Sequence, residues 1–206
     1  MTRIICALIF LLSSLMVMGQ NDNVSGVFPH LTMTANHFPR TEAGIGALMP
    51  WADKLWAITY VAHLAKTGSG TGLYTVGNNL ELNKHPESVV GTYANRLVHT
   101  PSMQLAIGPY LIDTLGTVRL IPEFKEHRLA ATMTDLEDAE NKLYYLAMEG
   151  EFIGVDLHSL KVTQLFQLMN ELNEPEKSKP HLKSGFTAHG RVVVCNNSYN
   201  RKDYSG

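Results

Sequence analysis

Short apolar runs of four to eight residues, bounded by Gly, Pro, Asn or Asp, recur along the chain from about residue 44. Runs of that length with such punctuation predict β-strands. Four of them share one character: 53–60, 102–108, 141–148 and 190–196. Each opens on a turn-prone residue, adds one or two less apolar positions, and then runs apolar. With Lys54, Met103, Lys142 and Arg191 taken as equivalent, the spacings are 49, 39 and 49. A strand candidate precedes each run, at 44–51, 96–100, 128–134 and 183–188. A third follows the first three runs, at 72–76, 110–113 and 151–156, and a fourth at 80–84, 118–121 and 162–168. Residues 164–174 place Leu165, Leu168, Met169 and Leu172 at helical spacing, which reads as a fourth strand ending in a helical turn.

Four strands per 40 to 50 residues is the length of one β-propeller blade. The expected fold class is therefore all-β: a β-propeller of four-stranded antiparallel blades, incomplete at about three and a half. The expected blades are 27–88, 89–126, 127–174 and a partial 175–206. A β-sandwich would also account for strands, but not for one four-strand order repeated three times. The hairpin Val155-Asp156-Leu157-His158-Ser159-Leu160-Lys161-Val162 resembles the corresponding turn of many bacterial propellers. Residues 27–206 thus resemble the secreted bacterial β-propeller repeat proteins in a generic way, without a Trp-Asp or kelch signature. Ring closure then requires further C-terminal blades, making this the front part of a longer propeller, or self-association.

The N-terminus carries a separate signal. Arg3 precedes an almost unbroken apolar stretch from Ile4 to Met18, then Gly19 and the polar Gln20-Asn21-Asp22-Asn23. That layout predicts a signal peptide over residues 1–19 and a secreted or periplasmic product over 20–206. The stretch is shorter than a bilayer span, so no membrane span is expected after cleavage. Cleavage would remove Cys6 and leave Cys195, which cannot form an internal disulfide. Cys195 ends the run Val192-Val193-Val194, where a buried, inert thiol is expected.

Composition narrows the chemistry. The net charge is −2 over 206 residues, and −3 after residues 1–19, so no global field draws in nucleic acid. Nine histidines invite a metal, yet no HExxH or Cys/His ligand set is present; no metal and no cofactor are expected. Gly68-Ser69-Gly70-Thr71-Gly72 lacks the Lys and helix of a phosphate loop and reads as a flexible connection. Asp135, Glu137, Asp138 and Glu140 do not match an EF-hand and read as a solvated turn.

One positional pattern suggests a site. Before or at each innermost strand stands a cationic or imidazole pair: His37 with Arg40, Asn95 with Arg96, His127 with Arg128, and His181 with Lys183. Blade repetition would gather His37, Arg40, Arg96, His127, Arg128, His181 and Lys183 around one opening of the axis. Such a ring favours an anionic ligand, an acidic glycan or a small anion, unless neighbouring carboxylates neutralise it. The propeller resemblance implies an analogy with polysaccharide lyases and glycosidases that use their hubs in this way. An enzyme of that type would need a general base, for which His127 and His181 are candidates. The competing class is a protein–protein interaction scaffold without catalytic activity.

Overall fold

The computed structural model describes residues 43–61, 71–78, 81–171 and 181–197. The expected leader 1–19, together with His37 and Arg40, lies outside the described residues. So do residues 62–70, which hold most of the glycine-rich connection. Three four-stranded antiparallel sheets follow one another, each in simple meander order. Blade 1 holds β1 (Ala43–Trp51), β2 (Lys54–Val61), β3 (Gly72–Val76) and β4 (Leu82–Lys84). Blade 2 holds β5 (Arg96–His99), β6 (Gln104–Ile107), β7 (Tyr110–Asp113) and β8 (Val118–Leu120). Blade 3 holds β9 (Leu129–Thr134), β10 (Lys142–Ala147), β11 (Glu151–Asp156) and β12 (Val162–Gln167). A two-stranded hairpin, β13 (His181–Ala188) and β14 (Arg191–Asn197), forms the described part of a fourth blade. The all-β, propeller-like reading of the repeats holds strand by strand. β12 runs directly into a one-turn helix, α1 (Leu168–Glu171), where helical spacing competes with the strand pattern.

Both faces of most blades are apolar, which is why alternation is weak and the strands read as continuous runs. In blade 1, Trp56 and Ile58 of β2 and Leu73 of β3 join one core with Leu105, Ile107, Tyr110 and Ile112 of blade 2. Tyr110 is fully buried; its hydroxyl donates to Glu87 O at 3.1 Å and accepts from Val89 N at 2.7 Å. Burial pushes its phenol up to about 12. The indole N–H of Trp51 donates to Asp113 O at 2.8 Å and so ties the blade 1 hairpin to β7.

The opposite face of blade 2 meets blade 3. Arg119 of β8 donates to Leu157 O at 2.7 Å across that seam, and is held in place within blade 2 by a second bond, to Gln104 Oε1 at 2.7 Å. A 3₁₀ turn, Pro122–Glu126, links the blades and drives Phe124 against Tyr145, ring centroids 4.6 Å apart. The far face of blade 3 builds a second core from Ala131, Met133, Tyr144, Leu146 and Phe152. Leu182, Val192 and Val194 of the β13–β14 hairpin pack on it. Gly185 permits this approach, since a Cβ there would lie 2.6 Å from Met133 Sδ.

Two expectations need correction. Cys195 is exposed, not buried. The period of two along β14 turns Val192 and Val194 toward blade 3 and sends Val193 and Cys195 to the uncovered face. The acidic segment after β9 is not wholly solvated: Asp135 is buried, its Oδ1 accepting from Glu137 N at 2.8 Å and Asp138 N at 2.9 Å. Among the described residues no helix is long and apolar enough to cross a membrane.

Candidate functional site at the lead-in to the innermost strands

The lead-ins to the first strands of blades 2 and 3 lie side by side and run parallel, which sets the relative height of Arg96 and Arg128. Leu129 N donates to Thr92 O at 3.0 Å and Ala94 N donates to Leu129 O at 2.9 Å, a parallel bridge between Tyr93 and Leu129. Arg128 is therefore level with Thr92, and Arg96 lies four residues farther along. At the rise of an extended strand that offset is about 13 Å. Asn95 confirms it from within the seam, donating from Nδ2 to Thr132 Oγ1 at 2.8 Å and to Gly108 O at 2.9 Å.

Blades 3 and 4 are in step. Arg128 Nη2 lies 3.3 Å from His181 Nε2, although 53 positions separate them in sequence. An arginine can only donate, so the imidazole accepts through Nε2 and carries its proton on Nδ1. Arg128 also forms an ion pair with Glu149, in the turn between β10 and β11, and its Nε donates to Glu149 Oε1 at 2.6 Å. The side chains of Arg128 and Glu149 are 21% and 44% exposed, so water screens much of their attraction. Nη1 of Arg128 keeps its two N–H groups unspent among the described residues.

The remaining candidates sit differently. Lys183 is exposed, at the register shift between Leu182 and Ser184. His127 turns back toward the 3₁₀ turn: its Nδ1 meets Glu123 O at 3.0 Å and its ring packs edge-on against Phe124. A carbonyl can only accept, so Nδ1 holds a proton and Nε2 has no partner in this contact. Arg96 is exposed on β5. The structure thus brings Arg128 and His181 together and places Lys183 two residues from His181 along β13. Arg96 lies deeper along the axis and His127 faces the blade 2–blade 3 linker.

Glu149 is the residue that sequence reasoning missed. It stands 21 positions from Arg128, and only the return of β10 beside β9 makes them neighbours. No group of three or more His, Cys, Asp or Glu side chains among the described residues is placed to hold a metal ion. Neither protein-family models nor curated proteins give a match to this chain.

Proposed function

We propose that this chain is a secreted propeller-type module that binds an anionic ligand, an acidic glycan by class, where its innermost strands begin. The observation that carries this reading is the meeting of Arg128 and His181 from two different blades at 3.3 Å. A guanidinium with an unspent N–H pair, an imidazole and the neighbouring Lys183 suit a carboxylate or sulfate. The apolar stretch from Ile4 to Met18 supports export to where such glycans occur. Arg96 supplies a second cationic step deeper along the same seam rather than a place in one ring.

The reading does not require catalysis. Were an acidic polysaccharide cleaved, His127 would be the better base, because the Nε2 of His181 is engaged by Arg128. The second reading is a protein-interaction scaffold. It is favoured by Phe186 and Val193, which face each other across β13 and β14 and are 68% and 57% exposed.

An array of uronate-bearing, sulfated and neutral glycans, probed with the full chain, tests the proposal. The expected result is retention on acidic glycans only, reduced tenfold or more by Arg128→Ala combined with Lys183→Ala. A depolymerisation assay on the retained glycan separates binding from cleavage. Absence of any acidic-glycan signal would overturn the reading and leave the scaffold.

A further inference from the structure

Tyr93, Tyr110 and Tyr145 are all fully buried. Backbone groups answer two of their hydroxyls: Tyr93 Oη donates to Phe124 O at 3.4 Å, and Tyr110 Oη meets both Glu87 O and Val89 N. The Tyr145 hydroxyl has no hydrogen-bond partner among the described residues. Asn95 Oδ1 has none either, although its side chain is 1% exposed. A donor lacking an acceptor and an acceptor lacking a donor are thus enclosed between blades 2 and 3. Such groups are rare in protein interiors, because each gives up its bonds to water on folding.

Thr132 brings the two together. It stands directly opposite Tyr145 in the β9–β10 pair, and Tyr145 packs into the core shared with blade 2. Side chains of such a pair leave the sheet on one face. Thr132 Oγ1 accepts from Asn95 Nδ2 at 2.8 Å. The same hydroxyl lies beside the Tyr145 phenol, which burial pushes up and Thr132 partly offsets. Its own hydrogen needs an acceptor, since Asn95 Nδ2 can only donate. Both orphans are held in place. Turning the Asn95 amide over would set Oδ1 against Gly108 O, which Nδ2 now holds at 2.9 Å. The Tyr145 ring rests against Phe124, centroids 4.6 Å apart.

We propose that this seam is a binding site for one structural water, which accepts from the Tyr145 and Thr132 hydroxyls and donates to Asn95 Oδ1. The count closes: both hydroxyl hydrogens and the amide oxygen are answered, and the water makes the three bonds usual for a buried one. A water-mediated bond serves here almost as well as a direct one. Through it Asn95, in the lead-in to β5, reaches β10 as well as β9. Two strands of blade 3, rather than one, then read the register of blade 2.

The test joins a crystal structure of the full chain, at about 1.5 Å or better, with water-selective ROE spectra of the isotope-labelled chain in solution. The map is expected to show one fully occupied water within about 3.2 Å of both Tyr145 Oη and Asn95 Oδ1. In solution the Thr132 methyl is expected to show cross-peaks to a water that tumbles with the protein. Tyr145→Phe keeps the ring against Phe124 and removes one of the three partners; those cross-peaks should then be lost. The Thr132 hydroxyl is present in both chains, so proton relay through it cannot produce the difference. A direct hydrogen bond between Tyr145 Oη and Asn95 Oδ1, or a map without density between them, overturns the proposal. Cross-peaks of equal strength in the parent and Tyr145→Phe overturn it too.

Discussion

Asn95 and Thr132 join the innermost strands of blades 2 and 3 through a 2.8 Å hydrogen bond that neither strand could make with a one-residue slip. Asn95 is 1% exposed, and its Nδ2 also holds Gly108 O, while its Oδ1 has no partner. Truncation to Asn95→Ala strands the Gly108 carbonyl and the Thr132 hydroxyl inside the seam. The expected cost is about 1–3 kcal/mol, read by urea denaturation. Thr132→Val should cost less, because Asn95 keeps Gly108. Equal losses would show that the Gly108 bond contributes nothing.

Gly46 controls the same kind of approach between blades 1 and 2. It occupies the irregularity in β1 between Ile45 and Ala47, and a Cβ there would fall 1.8 Å from Tyr93 O. The obstacle is backbone, so no side-chain rotation relieves it. Gly46→Ala is expected to lower stability by about 2 kcal/mol or more. Gly185→Ala, whose obstacle is the flexible end of Met133, should cost less. Thermal melts of the two variants, compared with the parent, check the ranking.

These contacts mark the limit of what the chain discloses by itself. Strand positions were legible because turn residues such as Asp53, Gly108 and Gly190 punctuate apolar runs at a blade-length spacing. The side of the sheet that each residue faces was less so. Cys195 looked buried because its neighbours are valines, yet which side of β14 is covered depends on blade 3. The height of Arg96 was illegible for a similar reason. Its position in the repeat matches that of Arg128, but the register between blades is set by Asn95, Thr132 and the Tyr93–Leu129 bridge. Local repetition carries strand order, and long-range pairing carries register.

Glu149 offers a direct test of whether Arg128 serves a ligand or only the fold. The carboxylate competes with any incoming anion for the same guanidinium. Glu149→Gln removes that competitor while keeping a hydrogen-bond acceptor beside Nε. Affinity for the acidic glycan is expected to rise about two- to fivefold, with stability changed by less than about 1 kcal/mol. A purely structural Arg128 predicts the reverse: unchanged retention and a lower melting temperature. Titration calorimetry and a melt on the same sample separate the two.

The hairpin between β11 and β12 makes stability depend on acid. Asp156 Oδ1 accepts from Ser159 N and Ser159 Oγ, both at 2.8 Å, and from His158 N at 3.1 Å. The Ser159 amide first, then its hydroxyl, hold the Asp156 carboxyl below the usual carboxylate range. The folded chain therefore binds this proton less readily than the unfolded chain does. The resulting stabilisation is complete above the unfolded carboxylate range and fades as the pH falls through the lowered value. Asp156→Asn keeps an acceptor oxygen but carries no charge to lose. It should melt below the parent at pH 7, and the gap should close progressively as the pH is taken below about 4. Asp113, held low chiefly by the Thr117 amide in the β7–β8 turn, contributes the same slope and remains in the variant. Asp113→Asn combined with Asp156→Asn should thus flatten the acid limb further than either change alone. A gap between parent and Asp156→Asn that stays constant from pH 7 to pH 3 would show that the charge of Asp156 adds nothing to the turn.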